Sequence, residues 1–156
     1  ICVIPTNIYG ENDNYHLENA HVIPALIHKC YNAKQKNEKF IVCGTGSPLR
    51  QFIYSKDLGK LILWALEQYN EKDSIILSVG EKEEVSIKEV AEIIASEFNY
   101  NHMMEFDTSF SDGQFKKTAD NSKLITLNKN FEFTPLNKGL QNSIQWFIIN
   151  NKLCRK

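Results

Sequence analysis

An α/β fold is predicted for this sequence by three observations: short β-branched runs alternate with helical apolar patterns, turn residues separate the two, and no repeat or low-complexity tract divides the chain. With 42% hydrophobic and 24% charged residues in a length of 156, the composition is that of one soluble globular domain with enough apolar material for a core. A single domain over residues 1–156 is therefore expected.

Taken in order, Ile1 to Ile4 is a compact β-branched run closed by Pro5, which predicts a buried strand ending in a turn at Pro5-Thr6-Asn7. A polar loop follows from Gly10 to Ala20. From His21 to about Gln35, Val22, Ile23, Leu26, Ile27 and Cys30 recur at helical spacing, and His28 reads as a solvated residue of that helix. Phe40 to Cys43 is a strand ended by Gly44-Thr45-Gly46, and Phe52 to Tyr54 is another. Ser55 is placed to cap a helix with Leu58, Leu61, Ile62, Ala65, Leu66 and Tyr69 on its buried face. Ser74 to Val79 is a strand stopped by Gly80, and Ser86-Ile87-Lys88-Glu89 is a capping box opening a helix with Val90, Ile94 and Phe98 inward. Met103 to Phe106 predicts a further strand, then a polar loop from Asp107 to Asp120. Thr134-Pro135 places a cap and a first-turn proline ahead of a last helix carrying Leu136, Leu140, Ile144 and Phe147.

Eighteen basic and nineteen acidic side chains leave a formal charge of −1, so there is no electrostatic footprint for nucleic acid or an anionic membrane. Any phosphate-bearing ligand must be caught by locally placed cations. No apolar run has the length of a membrane span, and the opening Ile-Cys-Val-Ile-Pro has no initiator Met and no signal segment, reading as a chain cut in mid-fold. The four cysteines are far apart with no C-x-x-C pair, which reads as reduced thiols and a cytoplasmic protein. His21 and His28 share a helix face, but no carboxylate or thiol completes a metal set, so no metal site is expected. The glycine-rich β-α turn that cradles a dinucleotide pyrophosphate is nowhere in the sequence.

Pro5-Thr6-Asn7-Ile8-Tyr9-Gly10, with Asp13-Asn14 and then His21-Val22-Ile23-Pro24-Ala25-Leu26, resembles the segment after the catalytic helix in the extended short-chain dehydrogenase/reductase family. Gly44-Thr45-Gly46 through Arg50-Gln51-Phe52-Ile53-Tyr54 and Asp57 is similar to a signature shared across that family. The His21 run, Leu77 to Glu81 and Ser111 to Thr118 resemble its GDP-L-fucose synthase branch in particular, and the similarity reaches Gln145-Trp146-Phe147. The resemblance implies the C-terminal, substrate-binding part of such an enzyme. The NAD(P)-binding Rossmann half would be largely missing, and the first strand and turn would belong to its edge. Related readings are another nucleotide-sugar epimerase or dehydratase, and a nucleotide-binding module without catalysis; the His21 and Ser111 segments fit the first reading better.

That branch inverts C3 and C5 of GDP-4-keto-6-deoxy-D-mannose and reduces the C4 ketone with NADPH. Protons must reach carbon, and an imidazole suits that work near neutral pH. By resemblance His21 is the catalytic acid/base and a cofactor contact, where position alone reads as a capping or surface histidine. Pro5, Thr6, Asn7 and Ile8 match the turn at the nicotinamide end of NADP. Arg50 matches an arginine at the GDP phosphates, and Lys29 and Asp112 match substrate contacts; without the resemblance these are solvated charges and an Asp-Gly turn. Cys43 stands where the family has a tryptophan against the substrate, a departure that offers less surface, unless a neighbour such as Phe52 offsets it. The resemblance further implies that this chain alone is inactive and binds no NADP, and that the full-length enzyme is a homodimer with a GDP-sugar substrate.

Overall fold

A computed structural model describes residues 1–156. Its strands are β1 (Val3–Pro5), β2 (Asn7–Tyr9), β3 (Phe40–Cys43), β4 (Leu49–Arg50), β5 (Phe52–Tyr54), β6 (Ile75–Leu77), β7 (Val85–Ser86) and β8 (Met104–Asp107). The helices are α1 (Val22–Lys36), α2 (Ser55–Gln68), α3 (Ile87–Glu97), α4 (Ser122–Leu127) and α5 (Leu136–Asn150). Parallel pairs join β1 to β6, β2 to β5 and β3 to β8, and one antiparallel pair joins β4 to β7. Parallel pairing requires long crossovers, and helices supply them. The chain is thus α/β, as expected.

Two apolar cores hold it together. The larger joins 20 buried residues, among them Ile23, Ile27 and Cys30 of α1, Val90 and Ile94 of α3, and Leu140, Ile144 and Phe147 of α5, over β3. The smaller joins eight around Leu58, Leu61 and Ala65 of α2, Ile75 and Leu77 of β6, and Leu124 of α4. Each fully buried Ile, Leu or Phe side chain contributes about 1.5–3 kcal/mol. Helix α5 meets β2 closely: a Cβ at Gly139 would lie 2.1 Å from the Tyr9 hydroxyl oxygen, so only glycine admits that ring.

Several local expectations are corrected. The chain does not simply turn at Pro5-Thr6-Asn7; it resumes as β2 at Asn7, because β5 offers a parallel partner from Phe52 to Tyr54. Nor is the first strand fully buried, since Ile1 and Ile4 are exposed. Ser55 is the first residue of α2 rather than its cap. Ile62 and Leu66 face outward with Leu63, because only one stripe of α2 meets the small core. Thr134 does not cap α5. Its N–H and hydroxyl go instead to the buried Asp57 carboxylate, at 2.6 and 3.1 Å, leaving Pro135 at the cap position. Asp57 does sit in the first turn of α2, but these bonds are what make its burial tolerable. The capping box at Ser86 and Glu89 forms as expected. No helix is long and apolar enough to cross a membrane.

Candidate functional site

All the predicted residues except Pro5 and Lys29 line two clefts on either side of the start of α1. Thr6, Asn7 and Ile8 line the first, of about 420 Å³, together with Glu11, Asp13 and His21. His21 holds the N-cap position in extended conformation, and its carbonyl accepts the Ala25 N–H at 3.0 Å while the side chain caps nothing. The imidazole is therefore exposed and uncommitted at the cleft. Thr6 pairs with Ser78 at 3.0 Å, and the Asn7 amide donates to the Gln51 carbonyl at 2.9 Å. These bonds fix β2 against its neighbours. Pro5 lies in β1 and is not part of this lining.

Two carboxylates share the cleft and differ in environment. Burial alone would raise the Glu11 carboxyl, but hydrogen bonds from Lys56 and Tyr54, both at 2.7 Å, outweigh it and hold it below the ordinary value. At Asp13 burial dominates and raises the carboxyl, against the Asn14 N–H at 2.7 Å and the nearby charge of His21. Glu11 is thus a fixed anion, whereas Asp13 stands closer to exchanging a proton.

The polar loop that carries these groups is anchored through Tyr15, a role the sequence does not advertise. Its ring is fully buried against Trp146 and Phe147, its hydroxyl donates to the Gly10 carbonyl at 3.2 Å, and its N–H donates to the Arg155 carbonyl at 2.9 Å. The Tyr15 carbonyl takes the last bond, from His28 Nδ1 at 2.7 Å. His28 is therefore not a solvated helix residue: it is 7% exposed, packed on Phe147, with its pKa lowered by burial. Spacing alone left position 28 among the polar residues of α1, because the carbonyl that satisfies it stands 13 positions away, beyond the reach of local pattern.

Cys43, Arg50 and Asp112 line the second cleft, of about 220 Å³, with Val22, Ile87 and Gly113. Residues 21 and 22 thus face different clefts. Arg50 donates to the Leu49 carbonyl at 2.6 Å and forms no ion pair with any carboxylate, so most of its donor fork is free. Lys29 stands beside the cleft with its ammonium 3.7 Å from the Cys43 sulfur. Cys43 is exposed, and Phe52 does not line this cleft, so Phe52 does not replace a larger side chain there. Asp112 is already occupied, bonding the Thr45 N–H at 2.9 Å and the Thr45 hydroxyl at 2.6 Å.

The largest cavity, of about 680 Å³, lies elsewhere, between Phe52, Val79, Val85, Phe133, Pro135 and Leu136. Glu83 and Glu132 are its only charged lining groups, so it offers a phosphate-bearing ligand no cation. The predicted histidine and arginine line the two smaller clefts instead. No group of three or more His, Cys, Asp or Glu is placed to hold a metal ion.

The profile of the NAD dependent epimerase/dehydratase family matches residues 1–80, which carry every predicted site residue except Asp112. The chain belongs to that family. Among epimerase/dehydratase relatives it is 52% identical over 154 residues to the GDP-L-fucose synthase of Dictyostelium discoideum, covering 99% of this chain and 48% of the relative. It is 44% identical to the probable GDP-L-fucose synthase of Drosophila melanogaster, covering 99% of this chain and 50% of that protein. The chain thus spans about half the length of the curated relatives it matches. A crystal structure of a GDP-L-fucose synthetase from Naegleria fowleri bound to NADP superposes with a TM-score of 0.97 at 45% identity, over 99% of this chain and 46% of that one.

Proposed function

We propose that the protein carrying this chain makes GDP-L-fucose from GDP-4-keto-6-deoxy-D-mannose by epimerising C3 and C5 and reducing C4, and that this chain supplies its substrate-binding half. The observation that carries the reading is the 52% identity over nearly the whole chain to a GDP-L-fucose synthase. The two clefts support it chemically. An uncommitted imidazole at His21 can take a proton from C3 or C5 and return one, while the free fork of Arg50 suits paired bonds to pyrophosphate oxygens. Lys29 adds a second cation on the same side.

NADP fits at one end only. Ile8 is exposed beside His21, and Pro5 is exposed on β1 just outside that cleft, an apolar edge that suits a flat nicotinamide. The phosphates of the dinucleotide find no glycine-rich cradle in this chain. When bound, NADPH supplies the hydride that reduces C4. The chain's own residues orient the ketone, hold the phosphates and move protons at carbon.

A division of labour with a separate nucleotide-binding part is supported by the β1–β6 pair, which has no third strand. Parallel sheets are ordinarily covered on both faces, yet Ile4 (46%) and, on α2, Leu63 (62%) and Leu66 (66%) are exposed. The test follows NADPH oxidation by the full-length protein with the keto sugar, together with solvent deuterium at C3 and C5. Oxidation with exchange at both carbons is expected. Reduction without exchange would make the protein a plain C4 reductase, and neither would leave it a nucleotide-binding module.

A further inference from the structure

The turn that follows α5 folds back onto the loop that leads into His21. The Leu153 and Cys154 N–H groups both donate to the Asn150 carbonyl at 2.8 Å, and the half-buried Cys154 packs against the larger core. Lys156 bonds the side-chain oxygen of Asn151 and lies over the Phe147 ring, 5.9 Å from its centroid. The turn is thus held to α5, and it presents the Arg155 carbonyl to the Tyr15 N–H at 2.9 Å. That contact belongs to the backbone and does not involve the guanidinium.

From Tyr15 to α1 the loop is bonded internally, so an attachment at one end is felt at the other. The Asn14 side chain accepts the His16 N–H and donates to the Asn19 carbonyl, both at 3.2 Å. The His16 carbonyl accepts the N–H groups of Asn19 and Ala20, at 3.2 and 2.8 Å, and His21 follows at once. Through its own carbonyl Tyr15 is also pinned to His28, on the helix face that His21 shares. The His21 side chain caps nothing, so the backbone on either side sets its place. Upstream of Tyr15, Asn12 and Asp13 line the His21 cleft and, behind it, a cavity of about 290 Å³ against Trp146, Asn150 and Arg155. The segment after α5 therefore backs the wall of the cleft as well as its hinge at Tyr15.

We propose that the segment after α5, residues 151–155, positions His21: through the Arg155 carbonyl and the buried Tyr15 it fixes the loop that sets the imidazole in its cleft. The bonds are the chain's own; only their consequence for proton transfer at carbon rests on the function proposed above.

Amide exchange and imidazole NMR on the full-length protein read the attachment, and solvent deuterium at C3 and C5 reads its consequence. Deleting Arg155 and Lys156 removes the acceptor of the Tyr15 N–H. Exchange at that amide should quicken about tenfold and the His21 resonances should shift. Deuterium incorporation at saturating GDP-sugar should fall about ten- to a hundredfold, the cost of a misplaced reacting group, while GDP affinity stays at the wild-type value. Arg155→Ala keeps the carbonyl and should match wild type throughout. The Tyr100 amide, bonded to Ala95 of α3 at 2.8 Å, reports whether the body stays folded. If the deletion frees that amide too, Tyr15→Phe, which keeps the buried ring and loses only the Gly10 bond, must still shift the His21 resonances and slow incorporation. A faster Tyr15 amide with unchanged resonances and incorporation would overturn the proposal, as would GDP affinity falling in step with incorporation. Failure of wild-type protein to incorporate deuterium would sink the functional reading, with the Tyr15 amide and the His21 resonances still deciding the positioning.

Discussion

The two clefts are built from neighbouring elements and share the start of α1, yet their chemistry is opposite. The His21 cleft is ringed by two carboxylates, hydroxyls and an imidazole, groups that move or hold protons. The Arg50 cleft contains a free guanidinium, has Lys29 beside it, and keeps its one carboxylate tied back on Thr45. Under the function proposed above, separating a proton-transfer site from an anion site avoids an ion pair between the carboxylates and Arg50 that would silence both. It also predicts that mutations on the two sides act on different kinetic quantities.

The largest effect is expected at His21. His21→Asn in the full-length protein should lower turnover and deuterium exchange at C3 and C5 by about 10²- to 10⁴-fold while leaving GDP-sugar affinity nearly intact. Asparagine still donates a hydrogen bond but cannot exchange a proton with carbon. Wild-type exchange at both carbons would break the comparison at its first half. Arg50→Ala should act in the opposite sense, weakening GDP binding by roughly 10- to 100-fold through the loss of charged hydrogen bonds, with exchange at saturating substrate little changed. Calorimetry with GDP and a saturating-rate measurement decide it together.

A smaller gain is expected from Cys43→Trp, which should tighten GDP-sugar binding by about 1 kcal/mol because an aromatic face adds contact area at the Arg50 cleft. Unchanged or weaker affinity would mean that the cleft has adapted to the thiol. The smallest effect concerns stability. His28 is buried neutral, so its folded pKa lies below the ordinary 6.5. The contribution is therefore intact above about pH 6.5 and is lost as pH falls through the lowered folded value, because the unfolded chain takes up the proton first. Lys156 and His16 add to the cost of the cation, while the Tyr15 carbonyl opposes it. Urea midpoints measured from pH 7.5 down to 5 should fall more steeply in wild type than in His28→Gln. Exchange should rise first in the Tyr15 loop of the His21 cleft, before the Arg50 cleft responds.

What the sequence determined by itself is everything set within a turn or two of chain. The apolar spacing of α1, α3 and α5, the Ser86 capping box and the β-branched run of β3 were all legible, because side-chain direction along a helix or strand repeats at 3.6 or 2 residues whatever lies opposite. The site residues were readable only through motifs matched to a known family; composition alone gave them no role. Tertiary structure decided the rest. Thr134, placed by its neighbours to cap α5, serves Asp57 from 77 positions away. Asp112, an ordinary Asp-Gly turn by local pattern, meets Thr45 across 67. Ile62 and Leu66 fit the buried stripe of α2 by periodicity, but the small core is too narrow to cover both sides of the helix. Local pattern fixes which way a side chain points, whereas burial and hydrogen-bond partners depend on what the folded chain brings to meet it, and in this protein those partners come from the far end of the sequence.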